Sequence, residues 1–429
     1  MRKEYKVQGI PISHIAAEFG TPLYVYDGDI LTEDYTQLRK KLPPYLEFFY
    51  SLKANPNISI YHYLKRLGAR AEVSSLVELQ TVLQAGTDPQ NIIFLGPGKN
   101  ETELRACIEN KIYAIVCESI QELQQIQSLA LELGVTVDVA IRINPSFSVK
   151  GSRLTMGGKP RQFGIDEETV FAQLNEIKAL SHVRVMGMHV YMGTRILDEE
   201  VIVQNTSHIF QLAERFQDQL GVPLEMVDIG GGLGVPYFEG EQKLNVDRLA
   251  DLLNPVIHLF REANPHIRLI MELGRYLAGR SGILVTQVKY IKESFGEPFL
   301  VADGGTNCHM AAVGIGSFVK RNFPIRQLSD IEGEDQVAYH ITGPLCTPND
   351  QLGKKVKLPP VEVGDLLGIF HSGAYGPTAS PVLFLSHGYP AEVLVHQQET
   401  YLIRERDQVE DLLEKQHLHA FSEKIASRQ

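Results

Sequence analysis

The chain has 429 residues, 44% hydrophobic and 22% charged, the proportions of an ordinary globular protein large enough for two domains. A formal net charge of −11 argues against a nucleic-acid or anionic-membrane surface, since both attract basic patches. The start, MRKEYKVQGI, has no apolar run of signal-peptide length, no later stretch suits a bilayer, and Cys107, Cys117, Cys308 and Cys346 lack metal-ligand or CxxC spacing, so they read as reduced thiols of a cytoplasmic protein.

From Tyr45 to Gly274, short apolar runs alternate with helix-like segments. The runs are LEFFYSLK (46–53), ARAEVSS (69–75), NIIFLGP (91–97), IYAIVCES (112–119), VTVDVAIRIN (135–144), VRVMGMHVYMG (183–193), EMVDIGGG (225–232) and IRLIMELGR (267–275). Between them lie helical patterns such as ISIYHYLKRLG, LVELQTVLQAG and SIQELQQIQSLALELG, the last with apolar residues at three- and four-residue steps and a closing glycine. This cadence predicts a (β/α)8 barrel over 25–280. An open doubly wound sheet is the competitor, because periodicity does not show closure.

Polar residues gather at the C-terminal ends of these runs: Lys53, Glu72, Glu118, Arg142, Asn144, His189, Asp228 and Glu272. Barrel enzymes carry their chemistry at that end. Residues 146–163, SFSVKGSRLTMGGKPRQF, are basic and glycine-containing and read as a mobile loop or lid over it. After Gly282 the segments alternate with Gly/Pro turns, which predicts an antiparallel β domain from 281–429, joined by residues 1–24. The tail from Arg406 reads as a charged surface helix.

Lys53 ends a buried strand, so it must be paired, neutral or covalently occupied. It is either a barrel-mouth lysine beside a carboxylate or a Schiff-base lysine activated by a desolvated pocket. In VDIGGGLGVPYF (227–238), Gly230, Gly231, Gly232 and Gly234 can point N–H groups at an anion, although tight turns also need glycine. MELGRYLAG (271–279) places Glu272 and Arg275 where a carboxylate could hold a protonated ring nitrogen and an arginine a phosphate; the plainer reading is that they pair with each other. His189 is a stacking imidazole, an acid or a satisfied core residue. In the β domain, Cys346 of GPLCTPND is a small buried hydrophobe or a proton donor on a loop. Tyr375 of HSGAYGPTASP reads as exposed and able to donate to phosphate. Together these residues supply what pyridoxal phosphate needs to act as an electron sink.

The ordered motifs YSLKAN, HVYMGTR, DIGGGLG, ELGR, GPLC and SGAYG resemble the fold type III pyridoxal-phosphate decarboxylases, which include diaminopimelate, ornithine and biosynthetic arginine decarboxylases. The resemblance spans nearly the whole chain and implies a barrel with a C-terminal β domain. It implies that Lys53 carries pyridoxal 5'-phosphate, that His189 stacks on its ring and that Glu272 meets the pyridine nitrogen. Gly230, Gly231, Gly232, Gly274, Arg275 and Tyr375 would bind the phosphate. Cys346 would deliver a proton across a head-to-tail homodimer with shared active sites. No metal is implied.

Departures from the pattern bear on the substrate, with Arg275, Thr347 and Tyr375 as its candidate contacts. Leu273 replaces the proline of the family's EPGR, which leaves Glu272 and Arg275 in place. Thr347 follows the cysteine, where the diaminopimelate and ornithine enzymes have an acid that holds the distal amine. ADGGTNCHMAAVG lacks the arginine and tyrosine that grip the distal end of diaminopimelate, with His309 and Met310 instead. A distal charge left unpaired in a buried pocket is costly. CTP followed by AYGPTASPVLFLSH is similar to the butirosin-type branch, which implies decarboxylation of an L-glutamyl group on an acyl-carrier protein. Lys150, Arg153, Lys159 and Arg161 could meet an acidic carrier, or be a solvated loop. Diaminopimelate decarboxylase, a racemase of the same fold type and a catalytically silent cofactor-binding regulator are the alternatives.

Overall fold

The structure is a computed structural model that describes residues 3–147, 154–155, 157–313, 321–330, 332 and 336–419. Lys150 and Arg153 of the basic loop lie outside the described residues. Eight parallel strands follow in chain order: Leu46–Ser51, Arg70–Val73, Ile92–Phe94, Ala114–Cys117, Val137–Asn144, Val183–His189, Met226–Asp228 and Arg268–Leu273. The eighth pairs with the first, Glu272 opposite Phe49, so the sheet is a closed barrel and not an open one.

The period of two along each strand sorts side chains between two layers. Phe49, Ile93, Ala114, Val116, Ala140, Met186, Met226 and Ile270 form one buried cluster inside the barrel. The residues between them, such as Phe48, Tyr50, Ile115 and Met271, pack outward against the helices. Two positions beyond the inner apolar layer the same alternation brings Glu118, Arg142, Asp228 and Glu272 inward, all buried. The barrel therefore has an apolar plug and a polar upper layer.

The helices follow from their own sequence. Ile120–Leu133 buries Leu123, Ile126, Leu129 and Ala130 on one face, starts where Ser119 accepts from the N–H of Glu122, and ends at Gly134 with φ 65. Burial of each leucine there contributes about 2 kcal/mol. Among the described residues, no helix is long and apolar enough to cross a membrane.

The short helix Arg275–Ala278 leads straight from the eighth strand into Gly282–Ser294, the long strand of a second sheet. That strand pairs antiparallel with Leu23–Asp27, Glu297–Ala302 and Leu366–Phe370. The sheet is mostly antiparallel, with parallel pairs at Leu23–Asp27 with Ala391–His396 and at Glu297–Ala302 with Val337–Thr342. In the tail only Val409–Leu413 is helical among the described residues, which end at His419; positions 420–429 of the expected helix lie outside them. That helix buries no residue.

Candidate active site

Lys53 lies in a 3-10 turn, Leu52–Ala54, immediately after the first barrel strand. Two hydrogen bonds stitch this turn to the β domain: Tyr375 N–H donates to the Ala54 carbonyl at 2.7 Å, and Asn55 Nδ2 donates to the Gly373 carbonyl at 3.1 Å. Gly373 packs so closely that a Cβ there would stand 1.9 Å from the Ala278 carbonyl oxygen. Tyr375 is thereby swung towards the barrel mouth and is half-buried, not exposed as its glycine neighbours suggest.

Lys53, Tyr191, Thr194, Gly232, Glu272, Gly274, Arg275 and Tyr375 line one cavity. The Lys53 amine donates to both oxygens of Glu72, at 3.2 and 3.0 Å, and stands 3.9 Å from Glu272. The Lys53 side chain is 39% exposed, so it is not the fully buried lysine that its place at a strand end suggests. Desolvation works to lower its pKa, but Glu72 and Glu272 outweigh it and the amine is raised above its ordinary value. His189 Nε2–H donates to Glu272 at 2.9 Å, with both side chains buried. Burial pushes the Glu272 carboxyl up, but His189, Lys53 and Arg142 prevail and hold it at about 2. Glu272 and Arg275 do not pair: Arg275 Nη1 donates to the Tyr237 hydroxyl at 2.9 Å, and its guanidinium lies 4.5 Å from the Tyr375 ring centroid.

The glycine turn closes against the same cavity. A Cβ on Gly231 would sit 1.7 Å from the Glu272 carbonyl oxygen, and one on Gly232, where φ is +95, would sit 2.1 Å from that of Gly193. Gly231, Gly232, Gly274 and Arg275 are only half-buried, and Gly232, Gly274 and Arg275 line the cavity. His189 Nδ1, Glu272 Oε2, Asp228 Oδ2 and Arg275 Nε are buried without a hydrogen-bond partner. Each such orphan costs about 1–3 kcal/mol unless something meets it. A flat, polar ring with an anionic group is a matching occupant, so the residues present fit pyridoxal phosphate.

Cys346 and Thr347 are not brought into this cavity. They lie in the turn between Val337–Thr342 and Gln351–Leu358, where Cys346 is exposed. Asp350 shapes that turn: it is buried and accepts from the N–H groups of Leu345 and Thr306, both at 2.7 Å. The described end of the basic loop lies at the barrel mouth, where Leu154–Thr155 pairs with Gly193–Thr194 and Gly158 N–H donates to Asn144 at 2.9 Å. Lys159 and Arg161 are exposed there.

Residues 29–279 match the family model described as the pyridoxal binding domain of pyridoxal-dependent decarboxylases. The chain belongs to this family. It is 37% identical over 406 residues to the L-glutamyl-[BtrI acyl-carrier protein] decarboxylase of Niallia circulans, covering 94% of this chain and 95% of that one. It is 31% identical over 412 residues to the diaminopimelate decarboxylase of Aquifex aeolicus, covering 96% and 95%. The diaminopimelate decarboxylase of M. jannaschii in complex with L-lysine superposes with a TM-score of 0.88, at 30% identity and 98% coverage of both chains. This pyridoxal-dependent decarboxylase is therefore a carboxy-lyase with the fold type III architecture.

Sequence reasoning missed residues of the site, Tyr191 and Tyr237 among them. Tyr191 lines the cavity with its ring centroid 5.8 Å from the Lys53 amine, and burial raises its hydroxyl to about 12. Tyr237 fixes Arg275. Both stand inside motifs quoted above, HVYMGTR and VDIGGGLGVPYF, which was the available signal.

Proposed function

We propose that this decarboxylase removes the α-carboxylate of an L-glutamyl group held as a thioester on an acyl-carrier protein, leaving a 4-aminobutyryl thioester. The observation that carries this reading is the 37% identity, over 94% of the chain, to a protein named for that reaction. Thr347 supports it, since a neutral thioester arm needs no distal charge partner.

Bound in the cavity, pyridoxal phosphate supplies an electron sink for the pair left behind when CO2 departs. The Lys53 amine is its covalent holder, and Glu72 is placed to take the proton that the amine must shed. Gly230, Gly231, Gly232, Gly274, Arg275 and Tyr375 would hold the phosphate. Glu272 would offer Oε2 to the ring nitrogen while His189, which would stack on the ring, holds Oε1. Cys346 of the partner subunit in a head-to-tail homodimer delivers the proton that replaces CO2. The exposed Lys159 and Arg161 meet the acidic carrier. All four cysteines are free, which fits a reducing cytoplasm.

The test offers free amino acids and glutamyl-loaded carrier side by side and looks by mass for product lighter by CO2. We expect turnover of the loaded carrier. Turnover of free diaminopimelate alone overturns the substrate assignment, and absence of any CO2 release overturns the activity.

A further inference from the structure

Asp228 is fully buried at the end of the seventh barrel strand, and the steps above leave it without a task. Its register partners are His189 on the sixth strand and Ile270 on the eighth, two residues before Glu272. Ligand atoms of His189, Asp228 and Glu272 lie within 4.8 Å of one another. One oxygen of Asp228, Oδ1, accepts the N–H of Gly230 at 2.8 Å and so closes the turn that opens the glycine cradle. The other, Oδ2, is buried without a partner.

Two carboxylates this close, both out of water, do not readily ionise together. Their surroundings decide which one keeps the charge. Glu272 has His189 at 2.9 Å and Lys53 at 3.9 Å, with Arg142 further off. Asp228 faces Glu272 and Glu72, opposed by Lys53 and the Gly230 N–H, with His189 beside it but hydrogen-bonded to Glu272. We propose that Asp228 and Glu272 share one negative charge, Asp228 being the neutral positioning residue that pins the glycine turn and leaves Glu272 the lone anion facing the cofactor ring. Burial first, and Glu272 next, push the Asp228 carboxyl well above the carboxylate range, in line with this division. The inference rests on reading the cavity as the cofactor site.

Binding, and not turnover, tests it: pyridoxal phosphate is titrated into cofactor-free protein and its absorbance followed across pH. Asp228→Asn keeps shape, acceptor and neutrality, so affinity should stay within about threefold and the pH dependence should superimpose on wild type. Asp228→Ala removes the acceptor, and affinity should fall about tenfold. Asp228→Leu, which also lacks an acceptor but fills the space, replaces it if the alanine variant does not fold. Glu272→Gln relieves Asp228 of its neighbour's charge, so Asp228 ionises instead, and the double variant with Asp228→Asn should lose more than the two single losses multiplied. A tenfold loss in Asp228→Asn, a displaced pH curve, or a multiplicative double variant overturns the shared charge. Wild-type protein that takes up no cofactor overturns the reading of the site itself, which separates the two failures.

Discussion

Glu72 grips the Lys53 amine with both carboxylate oxygens, at 3.0 and 3.2 Å. A lysine at the end of a buried strand is here paired as a cation, and a cation is no nucleophile. With the amine raised, its free-base fraction is small at neutral pH and grows as pH rises. Glu72→Gln lets desolvation act with less opposition, so the midpoint of covalent cofactor capture should move down by about one pH unit or more. Stopped-flow absorbance across pH reads this directly, and an unmoved midpoint refutes the role of Glu72. Lys53→Ala should abolish both capture and turnover.

Gly231 is the tightest point of the cradle. An alanine there places its Cβ 1.7 Å from the Glu272 carbonyl, a backbone atom that cannot swing aside. We expect Gly231→Ala to cost about 3 kcal/mol and to release cofactor, read as a lowered melting temperature. Gly98→Ala, where nothing lies within 4 Å, is the control and should be nearly silent. Equal melting temperatures for the two would show that the turn is looser than its geometry.

The barrel was legible because its strands are the apolar runs and its polar residues stand at their ends. Each strand lies inside its run, as Ala114–Cys117 lies within 112–119. Closure was not legible, since it depends on Glu272 meeting Phe49 across most of the barrel sequence. The site was legible where one motif holds one role, as with Lys53, and illegible where partners come from separate elements. Nothing local to Arg275 announces Tyr237, and nothing local to Lys53 selects Glu72 over Glu272. Tyr375 was misjudged for a related reason: its glycines permit close packing against Ala278 and do not signal exposure. In the described part of the tail the helix stops at Leu413, since charge makes a surface helix only where an apolar face holds it.

Tyr237 is buried between Phe323 and His371, so its hydroxyl is a fixed post for Arg275. Tyr237→Phe removes that bond and little else. Loss of about 1 kcal/mol in phosphate affinity is expected, roughly a fivefold rise in the dissociation constant for pyridoxal phosphate. Pyridoxal without its phosphate should bind equally to both proteins. A fivefold loss for both ligands would mean that the aromatic cluster, and not Arg275, was disturbed.

Glu272 ties the site to acid stability. Its carboxyl is held at about 2 in the fold and returns to an ordinary glutamate value near 4.5 when unfolded. A depressed carboxyl contributes stability that is fully present above the unfolded pKa and is lost as pH falls through the folded one. Urea midpoints of the cofactor-free protein should therefore decline between about pH 4.5 and 2. In Glu272→Gln that part of the decline should disappear, while stability at neutral pH falls because His189 and Lys53 lose their partner.

Cys346 is exposed on its own chain and absent from the cavity that holds Lys53. If the thiol serves the neighbouring subunit, each site takes Lys53 from one chain and Cys346 from the other. Lys53→Ala and Cys346→Ala homodimers should then both be nearly inactive. After subunit exchange, half of randomly reassorted dimers are mixed, and each mixed dimer has one site with both residues intact. Activity should return to about one quarter of wild type, rising with the time allowed for exchange. Sites formed within single chains would leave the mixture as inactive as its components, since no chain then carries both groups. Sedimentation before and after mixing checks that dimers persist, so a silent mixture reports on the site and not on dissociation.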